Sequence, residues 1–281
     1  MAPIVVVGQV ARDLVLMVDQ IPEAGGSVDV GRRSELLGGK GANIAVGLAQ
    51  LGAAVELVGV VGDDLVGEQL LAQAARDGLE LSAVRRRDDT ESALMVDIVT
   101  PDGQWRYLES VPPGALLRAD DIDQATALLG AARTVILQLQ QPADAILAAA
   151  TVLRLDAHEA ELLVGDAIPD ESAARKAAAR LLNRGPDLVV LAVGTDGNLV
   201  AWASGAVMLS LLDADRVVDT TGGGDAFVAT LAWALDRGED RVRAARLATA
   251  AAGLVVTHPG GRPALDTATV EPWADRLGVD G

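Results

Sequence analysis

Asp219-Thr220-Thr221-Gly222-Gly223-Gly224-Asp225-Ala226-Phe227 is the stretch of this chain best equipped for chemistry. A β-like run, Arg216–Val218, precedes it, and a helix-like run from Ala226 to Leu235 follows. Glycine lets the backbone approach a ligand closely and adopt unusual φ/ψ. A helix that begins there aims its free N–H groups forward, which makes a site for phosphate. Asp225 falls in the first turn, where a general base would face the same anion. Base and backbone cradle together imply phosphoryl transfer. The plainer alternative is a tight strand-to-helix turn capped by an Asp or Thr. The glycines are not followed by Lys-Ser/Thr, so this is no Walker A loop, and they do not fit Gly-x-Gly-x-x-Gly.

A second cluster, Gly38-Gly39-Lys40-Gly41-Ala42-Asn43, also precedes a helical run. The chain has only two lysines, Lys40 and Lys176, and its one phenylalanine is Phe227. Lys40 among glycines can meet an anionic or hydroxyl-rich ligand, and Asn43 brings both donor and acceptor. Asp13 follows the first strand by a few residues and could accept hydrogen bonds from paired sugar hydroxyls. Gly194-Thr195-Asp196-Gly197 reads as an ordinary turn after a strand. His158-Glu159-Ala160-Glu161 lacks the second histidine of a zincin, because position 162 is Leu162.

The elements that hold these groups alternate. Short apolar runs at Ile4–Val7, Ala54–Val61, Val135–Leu139, Val152–Leu155 and Leu188–Val193 read as buried strands. Helical spacing falls at Ala42–Leu51, Leu65–Asp77, Ala119–Ala131, Ala143–Ala150, Glu159–Val164, Glu171–Arg184, Ala226–Arg237, Arg241–Val256 and near Val270–Leu277. Such alternation predicts an α/β fold with a mostly parallel sheet between helices. Leu14–Val18 with Val28–Leu37 predicts an antiparallel excursion. Ser92–Val99 with Gln104–Leu108 predicts a hairpin, as does Leu199–Ala203 with Val207–Leu211. Ala143–Ala150 runs into Thr151–Leu155 with no turn residue, although such connections usually take roughly 2–6 residues.

The 281 residues suffice for one large α/β domain or two small ones. A net charge of −17 argues against sequence-independent duplex binding. Arg85-Arg86-Arg87, followed by Asp88-Asp89, reads as a solvated loop. No apolar run reaches the length of a membrane span, and Met-Ala-Pro-Ile-Val-Val-Val-Gly reads as a first strand, not a signal peptide. The absence of cysteine excludes disulfides and thiolate metal sites. A cytoplasmic protein is expected, without nucleic-acid or membrane partners.

Together the glycine clusters, Asp13 and the Gly194 turn resemble the ribokinase-like (PfkB-type) carbohydrate kinase family over nearly the whole chain. One signature runs from Gly38 through Leu51-Gly52, then Val61-Gly62-Asp63-Asp64 with Gly67; the other is Asp219–Phe227. The resemblance implies a single kinase domain over residues 1–281, with a β-lid formed by about 11–37 and 92–109. It implies an ATP-dependent sugar kinase in which Asp225 takes a hydroxyl proton and Gly222, Gly223 and Gly224 hold the developing charge. The sugar contacts would fall at Ala11, Asp13, Gly39, Lys40, Asn43, Gln140 and Asp225. Nucleotide contacts would fall at His158, Gly194, Thr195, Asp196, Gly197, Gly224 and Thr249. Glu161 would act on Mg²⁺ through water. Asp219 and Thr221, with carbonyls near Val255, His258 and Gly260, would bind a monovalent cation, usually K⁺. Such kinases often dimerise through the lid.

The pattern departs at Ala11, where ribokinases carry Asn, and at Gln140, where they carry Glu; both weaken the case for ribose. His158 replaces an Asn, and Ala264 replaces a serine of the cation site. One βα unit expected between Gln140 and His158 is missing, by natural deletion or because the sequence omits a segment; the second is favoured, because loss of an interior strand would open the core. A nucleoside kinase, with Trp105 and Tyr107 near the base, and an inactive sugar or nucleotide sensor are the competing readings.

Overall fold

The computed structural model describes residues 2–101, 105–138, 150–194, 197–211, 217–258 and 264–276. Its frame is an eight-stranded sheet built on β1 (Ile4–Val7). On one side lie β4 (Val55–Gly62) and β5 (Val84–Arg87); on the other lie β8 (Thr134–Gln138), β9 (Val152–Leu155) and β10 (Leu188–Val193). All of these run parallel. The antiparallel strands β11 (Gly197–Trp202) and β12 (Gly205–Leu209) finish that edge.

Side chains alternate across the sheet, and both faces are buried. Ile4 and Val6 enter one core cluster, while Val5 and Val7 enter the other. That is why these strands read as continuous apolar runs instead of an alternating pattern. The first face is covered by α1 (Lys40–Gln50), α2 (Leu65–Arg76), α6 (Gly223–Asp236), α7 (Arg241–Val255) and α8 (Thr267–Arg276). The second is covered by α3 (Ala119–Ala131), α4 (Ala157–Val164) and α5 (Glu171–Leu182).

A separate four-stranded sheet, ordered β3-β2-β6-β7, is built from the segments expected to form the lid. Its strands are β2 (Ala11–Val18), β3 (Val30–Gly38), β6 (Ala93–Val99) and β7 (Trp105–Ser110). Asp64 anchors it to the frame. Its carboxylate caps α2 through the Gly67 N–H at 2.6 Å and accepts the Ser92 N–H at 2.7 Å. The Gly62–Gly67 motif therefore works as a joint between sheet and lid.

Three expectations change. Arg85–Arg87 is not a solvated loop but the edge strand β5, paired with Gly59–Gly62. Arg87 is largely buried and donates to the carbonyls of Gly114 and Leu116 and to Asp121 at 2.6–2.8 Å. Val217 and Val218 do not form a strand, and α6 begins at Gly223, so two of the glycines lie inside the helix. The shortened junction leaves no gap between strands, because β8 pairs directly with β9, Ile136 opposite Val152. Thr151 donates to the Val135 carbonyl at 2.9 Å and accepts from the Leu188 N–H at 3.1 Å, which knits three strands together. Gln140 and most of the helix expected at Ala143–Ala150 lie outside the described residues.

Candidate active site

The chain leaves β1 in one direction to build β4 and β5, then returns to build β8, β9 and β10 on the other side. Such a reversal opens a crevice at the carboxyl ends of the strands, where open α/β sheets hold ligands. Here it holds a cavity of about 450 Å³. Its walls include Gln9, Asp13, Gly39, Lys40, Asn43, Arg154, Asp156 and Asp225, with Met95, Asp97, Trp105 and Tyr107 from the lid. A second, mainly apolar cavity of about 240 Å³ adjoins it and is lined by Ala192, Asn198, Gly223, Thr249 and Ala252. Both cavities share Arg154, Thr220 and Gly224.

Gly222 caps α6 with φ 77° and ψ −12°, a left-handed conformation that disfavours a side chain. The helix then starts abruptly, which leaves the amides of its first turn free of helical partners. Asp225 is buried among them, and Asn43 Nδ2 donates to its Oδ2 at 3.2 Å. Burial raises the Asp225 pKa to about 6; Arg154, Asn43 and Lys40 restrain the rise. The charged form is therefore favoured near neutral pH, yet it remains basic enough to take a proton.

Asn43 reaches Asp225 because α1 starts close against β1. A Cβ on Gly41 would lie 2.6 Å from the Gly8 carbonyl carbon. Lys40, at the start of α1, turns instead to α4. It contacts Glu159 at 2.8 Å and Asp156 at 3.3 Å. Burial tends to raise the Asp156 pKa, but the Glu159 N–H, Lys40 and Arg154 outweigh it and hold the carboxyl below its ordinary value.

Asp13 lies on the inner face of β2, 5% exposed, and accepts from the Gly39 N–H. Burial, then Asp97 and Asp225, push its pKa up to about 7. Thr249 lines the second cavity from α7, its hydroxyl donating to the Ala245 carbonyl at 3.0 Å. Gly194 and Gly197 flank the far end of β10, but Thr195 and Asp196 between them lie outside the described residues, as does Gly260. Ala11 is fully buried beside Ala93 and Met95 and does not reach the cavity.

Neither His158 nor Glu161 lines either cavity. His158 is exposed, and Glu161 accepts the Ile168 N–H at 2.9 Å, closing the loop after α4. The residues of this segment that face the site are Asp156 and Glu159. Asp219 is buried and accepts the Thr221 N–H at 2.9 Å, while the Val255 carbonyl accepts the His258 N–H at 3.1 Å.

Sequence reasoning passed over Gln9, Asp97, Arg154, Asp156 and Glu159. Arg154 had a readable signal: a lone cation at the end of a buried strand. A Cβ on Gly224 would lie 2.2 Å from its guanidinium. The third glycine thus makes room for an arginine laid across the helix start. The whole arrangement sets a buried carboxylate, a cation and free amides at the boundary of a polar and an apolar cavity.

The pfkB family carbohydrate kinase model matches residues 1–138 and 121–268. The ribokinase of Mus musculus is 30% identical over 264 residues, covering 83% of this chain and 82% of that protein. That of Bacillus subtilis is 30% identical over 300 aligned positions, covering 95% and 97%. The structure of Arabidopsis thaliana ribokinase complexed with ribose and ATP superposes with a TM-score of 0.76 at 26% identity, covering 97% and 98%. Among the described residues no helix is long and apolar enough to cross a membrane. With both glycine signatures seated at one crevice, the chain belongs to the PfkB family of carbohydrate kinases and is an ATP-dependent phosphotransferase acting on a sugar alcohol group.

Proposed function

We propose that the polar cavity takes the sugar, the apolar cavity takes the nucleotide, and Asp225 is the general base between them. The observation that carries this is the shared wall. Gly224, Thr220 and Arg154 line both cavities, and Asp225, next in the chain to Gly224, lines the polar one.

Asp225 removes the proton of the acceptor hydroxyl as its oxygen bonds to the γ-phosphorus and the bond to ADP breaks. The free amides of Gly224 and Asp225 and the Arg154 guanidinium stabilise charge on the transferring group. Asn43 orients the base. The lid excludes water from the acceptor and so limits ATP hydrolysis.

Asp156 and Glu159 fit a magnesium ion held through water. They are paired carboxylates at the start of α4, Asp156 is held below its ordinary pKa, and both contact the cation Lys40. The ion supplies charge neutralisation on the phosphates. The monovalent-cation set fits less well. Asp219 and the Val255 carbonyl each already accept an amide of their own turn, and Ala264 offers no hydroxyl. No step is routed through such an ion.

Strand β7 is an edge of its sheet and is exposed along its length, Leu108 most among its large apolar side chains. A second copy of the chain would extend the lid there, which light scattering tests. A nucleoside acceptor is the second reading, because Trp105 and Tyr107 both line the polar cavity. A coupled ADP-release assay across ribose, fructose, deoxy-sugars and nucleosides decides between them. Turnover that persists in Asp225→Asn removes the base assignment.

A further inference from the structure

Asp97 does not belong to any motif of the chain. It occupies the third of four inward positions of β6, after Ala93 and Met95 and before Val99. The alternation of this strand calls for an apolar side chain there. Instead a carboxylate, 2% exposed, lines the acceptor cavity, and its Oδ2 has no hydrogen-bond partner. A buried carboxylate with an orphaned oxygen is costly unless a ligand supplies the donor.

The surroundings sharpen what that donor is. Asp13 lies diagonally across from Asp97 on the adjacent strand β2, where Met95 pairs with Asp13 and Val15 with Asp97. Asp225 closes the same cavity. The cavity's two described cations are engaged away from this pair: Lys40 on Asp156 and Glu159, Arg154 over Gly224. Trp105 and Tyr107 supply ring faces, which also favour a cation. Arg154 offsets Asp225, but Asp13 and Asp97 have no described cation beside them; with the two rings they disfavour sugar phosphates and sugar acids and leave a place for positive charge beside the acceptor.

We propose that Asp97 is the specificity determinant of this pocket and receives a protonated amine, so that the preferred acceptor is an amino sugar. The proposal rests on the kinase reading above and adds the class of acceptor to it.

The test pairs each amino sugar with its neutral counterpart: 2-amino-2-deoxy-D-ribose with D-ribose, D-glucosamine with D-glucose, and 1-amino-1-deoxy-D-fructose with D-fructose. ADP release by the full chain with Mg·ATP gives kcat/KM for each. At least one pair should favour the amine by about tenfold or more. Asp97→Asn and Asp97→Leu should bring that ratio to about one. A ratio near one in the wild type, or a preference unchanged in both variants, overturns the proposal. Calorimetric binding of the same pairs separates the two readings. Amine-selective binding that needs Asp97, without turnover, supports the pocket and overturns the kinase assignment. Turnover without amine selectivity does the reverse.

Discussion

Asn43 Nδ2 donates to Asp225 Oδ2 at 3.2 Å, joining the first turns of two helices 182 residues apart in the chain. The contact explains why the two glycine signatures occur together. Each frees a helix start, and only together do they fix the direction in which the buried carboxylate points.

Replacing Asp225 with Asn keeps the size of the side chain and removes the base. The expected loss in kcat is about 10²–10⁴-fold, the usual range for positioned proton transfer. KM for ATP should change little, because the nucleotide cavity is untouched. Steady-state ADP release at saturating sugar measures both.

The acid limb of kcat/KM should follow Asp225. Burial raises its pKa to about 6, and the base works only when ionised, so the rate should climb through pH 6 and level off above it. Arg154 is the strongest influence lowering that pKa. Arg154→Met should therefore move the midpoint upward as well as reducing kcat, by about 10²–10³-fold if it acts as an oxyanion donor. A pH–rate profile of the variant shows both effects at once.

Stability should respond to pH with the opposite sign from an ordinary salt-bridged carboxylate. Burial, as the leading cause, raises Asp13 to about 7 and both Asp97 and Asp225 to about 6, from a starting value of 3.8. The folded chain then holds more protons than the unfolded chain between about pH 4 and 7. Their contribution to stability falls as pH rises through that window. Thermal midpoints from pH 5 to 7.5 should fall less steeply for Asp97→Asn than for the wild type.

Glu159→Gln and Glu161→Gln provide a matched pair. The first should raise the magnesium concentration needed for half-maximal rate several-fold. The second should leave it unchanged and cost little stability, because the Gln amide oxygen still accepts the Ile168 N–H. A magnesium titration and a melting curve separate the two.

Gly41→Ala and Gly224→Ala should differ in kind. The added methyl of the first meets the Gly8 and Gln9 backbone at 2.6–2.8 Å, which cannot yield. A loss of about 1–3 kcal/mol in stability is expected, together with displacement of Asn43. The methyl of the second meets only the end of a flexible arginine. Its melting temperature should hold while kcat falls.

Strand periodicity, helix stops and the two glycine signatures determined the α/β frame, the lid strands and the place of Asp225. These are local properties: a buried run stays apolar, and a helix start that faces an anion has no side chains to block it. Arg85–Arg87 was misread because an edge strand can carry charge, and the pairing with β4 that makes it a strand is not local. The segment after β9 is ambiguous in sequence for a rotational reason. Residues two apart on a helix face opposite sides, so Glu159 and Glu161 cannot both face the site. Only the packing of α4 against Lys40 selects Glu159. Arg154 over Gly224 and Asp97 beneath the lid were likewise decided by tertiary structure. Each takes its meaning from a neighbour far away in sequence, and the sequence alone does not record which residues become neighbours.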